Sequence, residues 1–235
     1  MEHPARGGEL PLRVDTITDR AAIHFPRDLT IAMAELFDNI FLRGRRVLIR
    51  PLEREDIDKR LKWKPYPDPL YSHYNLGNLT ASEKEAWFLK RKRDTSSVYL
   101  SIDNAEGKLI GFLRLHKIDP QDKTAWFGIY LGYEFIDQGF GTDATLALLR
   151  YYFEELKFER LLLDVAALNK RAIRCYETCG FEFIRKRYNV HDPRMNIDIF
   201  GDERFKDVRK YFLKNEDKIL VEFDEMEISK EKWKR

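Results

Sequence analysis

The sequence predicts an α/β fold. It expects a central mixed sheet of about six to seven strands, antiparallel early and parallel around 125–166, with helices on its faces. Three observations predict it. Val98–Ile102 and Lys108–Ile118 are β-type runs joined by Asn104-Ala105-Glu106-Gly107, a hairpin signal. From Thr124 to Tyr188 the pattern alternates strand, helix, strand, helix, strand, and that order asks for parallel neighbours. Within it, residues 143–156 carry apolar side chains at 144, 147, 148 and 151 and again at 146, 149, 153 and 156. A helix apolar around most of its circumference is buried against a sheet with other elements over it.

Taken in order, residues 1–28 hold Gly7-Gly8, three prolines and scattered charge, which reads as an extension ordered only where it docks. Asp28 caps an amphipathic helix at 29–41, whose stripe packs on its own domain; a homodimer contact or a lid over the substrate are the alternatives. A single domain follows over 43–228. Arg46–Arg50 is a short strand halted by Pro51, and Glu53–Trp63 a charged helix. Pro65, Pro67 and Pro69 then forbid regular structure in a loop that carries Tyr66, Tyr71, His73 and Tyr74. Thr80–Arg93 opens with a capping box, Thr80 to Glu83, and ends on Lys90-Arg91-Lys92-Arg93, a solvated cationic face or an anion site. After the two hairpin strands, Thr124–Tyr133 is a third strand, 161–166 a fourth, 169–179 a helix and Phe181–Tyr188 a strand. Residues 191–214 form an insertion with a helix from Asp202, Lys218–Ile228 a final strand, and 229–235 a charged tail.

Composition excludes several classes. Forty-two Lys and Arg against 40 Asp and Glu leave a net charge of +2, so no basic footprint calls for nucleic acid. No apolar run approaches the ~18 residues of a membrane span, and the opening residues lack the apolar core of a signal peptide. Cys175 and Cys179, a helical turn apart, read as core thiols in a reducing cytoplasm rather than a disulfide or a metal site. The expectation is a cytoplasmic enzyme without metal, nucleic acid or membrane partners.

The chemistry concentrates between Gln138 and Phe183. Gln138-Gly139-Phe140-Gly141-Thr142 is a glycine turn entering a helix, with Thr142 and Asp143 suited to the helix start. Free N–H groups and the positive helix end make such a turn a cradle for phosphate or pyrophosphate. The same residues fit the dinucleotide fingerprint G-x-G-x-x-A with Asp164 downstream, which would imply a nicotinamide-dependent oxidoreductase. That fingerprint follows a strand directly and opens a doubly wound sheet. Here Glu134–Asp137 intervene, and too little chain follows. Asn169 then caps a helix closed by Gly180, with Tyr176 almost two turns along on the same face.

The pattern Gly-x-Gly-Thr-Asp-Ala, a strand, and then Asn169…Ala172…Tyr176…Gly180-Phe181 resembles the GNAT superfamily of N-acetyltransferases. Its branch of ribosomal-protein N-terminal and polyamine acetyltransferases is the most similar. The specific match covers about 125–183. The resemblance implies a GNAT-like fold and transfer of an acetyl group from acetyl-CoA to a primary amine, on a small molecule or a protein N-terminus, by direct attack. It implies that Gln138, Gly139, Phe140, Gly141 and Thr142 cradle the cofactor's pyrophosphate. It further implies that the strand at Ile129, Tyr130 and Leu131 bonds the pantetheine arm, that Asn169 contacts the cofactor, and that Tyr176 protonates the leaving thiolate. Two positions depart from the family pattern. Ile136 stands where relatives carry Arg or Gln, and Trp126 where many carry a Glu base. Glu134 and Asp164 are the remaining acids that could order a proton-accepting water. An alternative for such a chain is a non-catalytic acyl-CoA-binding module.

Overall fold

The structure, a computed structural model, describes residues 39–192, 195, 197–215 and 218–234. The helix expected at 29–41 falls outside the described residues up to position 38, and Asn39–Phe41 lead into the first strand through a turn.

Among the described residues nine strands form one sheet, more than the six to seven expected. In chain order they are β1 (Leu42–Arg43), β2 (Val47–Pro51), β3 (Ser97–Asn104), β4 (Leu109–Asp119), β5 (Thr124–Leu131), β6 (Arg160–Ala166), β7 (Glu182–Val190), β8 (Phe212–Asn215) and β9 (Lys218–Ser229). The two extra strands are β1 and β8, of two and four residues, too short to show a period-two pattern. The spatial order is β1-β2-β3-β4-β5-β6-β9-β7, with β8 also on β9. Every pairing is antiparallel except β5 with β6.

The helices are α1 (Asp56–Arg60), α2 (Ala81–Lys92), α3 (Phe140–Arg150), α4 (Lys170–Thr178) and a last turn, α5 (Lys230–Trp233). α2 begins as its capping box requires: the Thr80 hydroxyl accepts from Glu83 N–H, and the Glu83 carboxylate accepts from Thr80 N–H at 2.7 Å. The helix expected to run on to residue 156 leaves α geometry at Tyr151, continuing as a π-turn over Tyr151–Glu155. That turn buries Tyr152 and Phe153 and lets the Tyr152 hydroxyl donate to the Arg160 carbonyl at 2.7 Å.

The main core lies between one sheet face and α3 with α4. Leu148, Leu149, Leu161, Leu163 and Ala144 are wholly buried there, beside Phe127 and Tyr176. A second, smaller core of Leu52, Leu109 and Phe112 lies on the opposite face, flanked by Trp63, Trp87, Tyr99 and Tyr130. The insertion makes a third, in which Ile199, Phe205 and Phe212 pack on Val221 of β9 and on Leu70. The helix expected from Asp202 is instead a pair of 3₁₀ turns, Glu203–Phe205 and Arg209–Tyr211. The charged residues after 229 dock as well, Trp233 lying 6.2 Å from the Phe153 ring. Among the described residues no helix is long and apolar enough to cross a membrane.

A buried ion network ties the first hairpin to α1. Arg50 on β2 donates two hydrogen bonds to Asp56, both 2.8 Å, and two to Asp103, at 2.7 and 3.1 Å. Ser101 and the Glu53 N–H also donate to Asp56, at 2.6 and 2.9 Å. Burial opposes charge on Asp56. The bonds from Arg50, Ser101 and Glu53 outweigh it and hold this carboxyl below its ordinary range.

Candidate active site

β5 and β6 pair over three positions only, Thr124 with Arg160, Ala125 with Leu161 and Trp126 with Leu162, and then part. β5 stays zipped to β4 as far as Leu131 opposite Gly111. The Gly132 N–H donates to the Ile110 carbonyl at 2.9 Å, which makes Leu131–Gly111 a pair that exchanges no hydrogen bonds. By strand alternation, Ile129 and Leu131 therefore turn their N–H and C=O groups into the wedge between β5 and β6. Tyr66 takes one of these groups, its hydroxyl donating to the Leu131 carbonyl at 2.7 Å. The third residue expected at this position, Tyr130, has its backbone turned to β4. What it contributes is a ring, 5.4 Å from Phe112 and 6.0 Å from Tyr74, with the Arg60 guanidinium 4.8 Å away.

The glycine turn closes one end of the wedge. Gly139 adopts φ +79°, a left-handed conformation that glycine takes without strain, and caps α3. The first helical bond runs from Asp143 N–H to the Gly139 carbonyl at 3.0 Å. The N–H groups of Phe140, Gly141 and Thr142 thus precede the ladder, as helix N-termini require. Gln138 shapes the turn with its side chain, which donates to the Glu134 carbonyl at 2.7 Å. Asp143 performs a role the sequence does not announce: its carboxylate accepts from the Arg45 and Arg46 N–H groups at 2.9 and 2.7 Å. The β1–β2 hairpin is thereby pinned beside the turn. A Cβ on Gly44 would lie 2.6 Å from that carboxylate, so a side chain there would have to displace it. The pinning brings in Arg46, whose guanidinium donates to the Gln138 carbonyl at 2.7 Å and lies 4.4 Å from the Phe140 ring centre. Arg46 is a cation at the cradle that its distance in sequence concealed.

Tyr176 stands at the apex of the wedge, 7% exposed, its ring 6.1 Å from Phe127, the first β5 residue past the paired stretch. Burial raises its pKa well above the ordinary phenol value, and the nearby Cys175, Tyr74 and Asp164 add to the effect. Its proton is therefore held. Asn169 caps α4, its Oδ1 accepting from Ala172 N–H at 3.2 Å, and its amide N–H₂ keeps donor capacity. Asp164 lies on β6 just past the paired stretch. The residue is exposed overall, yet loss of hydration raises its pKa, opposed by Lys117 and Arg187. It acts electrostatically on both Tyr74 and Tyr176.

Glu134, the other acid expected to order a water, is placed differently. It accepts from the Lys64 N–H at 2.8 Å and from the Lys108 ammonium at 3.0 Å. Burial pushes its pKa up, but these two bonds prevail and hold it below the ordinary value. Both oxygens are committed to fastening loops, and a carboxylate with a lowered pKa is a poor base. Cys175 is also less inert than a core thiol. Its sulfur lies 3.3 Å from the Thr142 hydroxyl at the cradle, and hydrogen bonding with Cys179 lowers its pKa from the ordinary thiol value.

The face of β5 opposite the main core carries Trp126, Gly128 and Tyr130. A Cβ built on Gly128 would meet nothing within 4 Å, so open space lies above the strand beside the wedge. The rings of Tyr66, Tyr71 and Tyr74 border the wedge end, 5.6 to 5.9 Å apart. The insertion supports them: Leu70 and Tyr71 pack into its apolar cluster. Trp126, in the position of the absent Glu, is flanked by Lys117 at 4.3 Å and Arg187 at 5.5 Å.

Comparison with known proteins agrees with this arrangement. A family model described as an acetyltransferase (GNAT) domain matches residues 46–182. The spermidine N(1)-acetyltransferase of Vibrio cholerae is 27% identical over 131 residues, covering 56% of this chain and 71% of that one. The mycothiol acetyltransferase of Salinispora tropica is 29% identical over 197 residues, covering 81% of this chain and 59% of that one. Among solved structures, the V. cholerae spermidine N-acetyltransferase in complex with CoA and spermine superposes with a TM-score of 0.57 at 21% identity, covering 80% of this chain and 98% of that one. A GNAT-family acetyltransferase from Bacillus anthracis gives 0.56 at 18% identity, covering 82% and 99%. A wedge opened by a three-residue parallel pairing, a glycine-capped helix beside it and a family match over more than half the chain lead to one assignment. The chain belongs to the GNAT family of acetyltransferases.

Proposed function

We propose that acetyl-CoA lies along the wedge and that a primary amine attacks its thioester from the side of Gly128. One observation carries this reading: Ile129 and Leu131 present backbone polar groups to a gap with Tyr176 at its apex. The pantetheine amides bond to the Ile129 groups and the Leu131 N–H as a neighbouring strand would, and the Ile129 N–H polarises the carbonyl under attack. A donor placed at a developing oxyanion is worth on the order of 100-fold in rate. The pyrophosphate rests on the N–H groups of Gly139, Phe140, Gly141 and Thr142, with Arg46 beside it, and Asn169 contacts the cofactor from α4.

Proton transfer divides between two residues. The amine loses its proton through water to Asp164, whose raised pKa suits it to accept one. Tyr176, protonated throughout the neutral range, gives its proton to the departing thiolate. A thiol of pKa about 8.5 is a competent leaving group unaided, so the phenol contributes roughly 100-fold.

The test is thiol release from acetyl-CoA across a panel of amines, with Tyr176→Phe beside the wild type. The expected outcome is turnover with one amine class and a kcat about 100-fold lower in the variant, with acetyl-CoA affinity retained. Trp126 in place of a carboxylate favours a second reading, a module that binds acyl-CoA without turning it over. Binding of acetyl-CoA with no acceptor-dependent release would establish that one.

A further inference from the structure

Three arginines from three different elements converge on the acceptor side of the sheet. Arg60 ends α1, Arg91 lies near the end of α2, and Arg114 sits on β4 directly across from Gly128. The guanidinium of Arg60 lies 4.8 Å from the Tyr130 ring and 5.8 Å from Trp87. That of Arg91 lies 3.9 Å from Trp87 and 5.5 Å from Tyr99, and that of Arg114 lies 5.1 Å from Tyr99. Arg91 is the one inward member of the basic run at the end of α2; Lys90, Lys92 and Arg93 are exposed.

The hydrogen bonding of Arg91 and of Arg114 is incomplete. Among the described residues Arg91 has one acceptor, the Trp87 carbonyl at 2.9 Å, and Arg114 has one, the Ser97 hydroxyl at 2.8 Å. The Nε of Arg114 is buried with no partner. Burial lowers the pKa of Arg91, and the charges of Arg60 and Arg114 lower it further. Half-buried guanidiniums crowded together are costly to hold, and a native structure that keeps an unsatisfied one calls for an explanation.

The acids that face this region are few and largely engaged. Asp94 is bonded by the Ser96 N–H at 2.9 Å and the Ser96 hydroxyl at 2.6 Å, and the charge of Arg114 also acts on it. Glu225 is held by Arg185 and Arg187. Asp164 stands across the wedge with Lys117 and Arg187 acting on it. The acceptor side is cationic near the floor at Gly128.

We propose that the acceptor is a small amine carrying a carboxylate or phosphate, which docks on Arg60, Arg91 and Arg114 while its amine stands over Gly128. The proposal rests on the acetyl-transfer reading of the wedge. Strands lie about 4.8 Å apart, so the amine and the anionic group are separated by one to two strand spacings, roughly 5–10 Å. Guanidinium forks match carboxylate and phosphate oxygens two at a time, which explains arginine at these places. A polyamine meets like charge here and is rejected.

The experiment measures kcat/KM at saturating acetyl-CoA for ethanolamine, β-alanine, phosphoethanolamine and spermidine, with wild type, Arg114→Gln and Arg91→Gln. The expected result is an anionic amine preferred over ethanolamine by tenfold or more, with the preference falling towards one in each variant and in high salt. The better of β-alanine and phosphoethanolamine identifies the anionic group. Spermidine as the best acceptor overturns the proposal, and so does an equal loss for all amines in the variants. Calorimetric titration of phosphoethanolamine and β-alanine into CoA-loaded protein reads the anion site without turnover. Binding that Arg114→Gln abolishes, in a protein that acetylates nothing, would sink the acetyl-transfer reading and keep the anion site; absence of binding sinks the anion site itself.

Discussion

Gly128→Val separates folding from acceptor binding. Glycine inside a strand destabilises it by roughly 0.5–1 kcal/mol relative to alanine, and a β-branched residue suits the position better still. A Cβ at Gly128 meets no atom within 4 Å, and its φ is not in the left-handed region, so a side chain can branch from this position without backbone strain. The melting temperature is expected to rise by roughly 1–4 °C, since each kcal/mol shifts a domain of this size by about 2–4 °C. The same methyl groups stand where the amine is proposed to approach. Overlap of the size of a methylene group costs about 1–3 kcal/mol in a fitted site, or roughly 5- to 150-fold in kcat/KM for the amine. The donors at Ile129 and Leu131 are backbone atoms on the strand's edge, so affinity for acetyl-CoA stays within about twofold of wild type. The assays are a thermal melt, a titration with CoA, and thiol release with varied amine. A variant that melts as high as expected and acetylates the amine with unchanged kcat/KM would refute this approach of the acceptor.

Three further outcomes are expected. Arg46→Gln removes a cation from the glycine turn while the Arg46 N–H keeps its bond to Asp143, so KM for acetyl-CoA rises by roughly tenfold and kcat is kept, as steady-state kinetics will show. Asp164 acts when ionised and its pKa is raised, so kcat/KM falls as pH drops through a value above the ordinary 3.8; Asp164→Asn abolishes that acid limb in a pH–rate profile. Asp56→Asn leaves Arg50 short of a buried partner and loses roughly 3 kcal/mol in urea unfolding at pH 7. Because the pKa of Asp56 is depressed in the fold, its contribution is full above 3.8 and fades as pH falls through the folded value, so wild type and variant converge in acid.

What could be read in advance divides by distance along the chain. The capping box at Thr80 and Glu83, the hairpin at Asn104–Gly107, the glycine turn and the Asn169-to-Gly180 helix are local patterns, and each appears where it was expected. Features that depend on remote partners were not legible. Nothing near Arg46 in sequence says that Asp143, almost a hundred residues on, will pin its hairpin against the cradle. Glu134 looked available as a water-ordering acid because Lys64 and Lys108 reach it only in three dimensions. The insertion's role could not be read locally, because its apolar residues complete a core with Leu70, more than a hundred residues earlier. The gathering of Arg60, Arg91 and Arg114 is of the same kind: three unrelated stretches, one place.

The position of β9 has a consequence for how the chain is made. It is the last strand in order among the described residues, yet it lies between β6 and β7 and pairs along most of both. It also joins two cores, with Val221 in the insertion's cluster and Met226 and Ile228 in the main one. The partner of Arg160 is Ser229, roughly 70 residues later. At about 5–20 residues per second, β6 emerges and waits on the order of 3–14 s before that edge is covered. An uncovered edge of Leu161, Leu163 and Val165 is a template for pairing with a neighbouring chain. Synthesis of this protein therefore carries an aggregation-sensitive interval that ends only when β9 has emerged. A chain truncated before Lys218 would remain in it permanently.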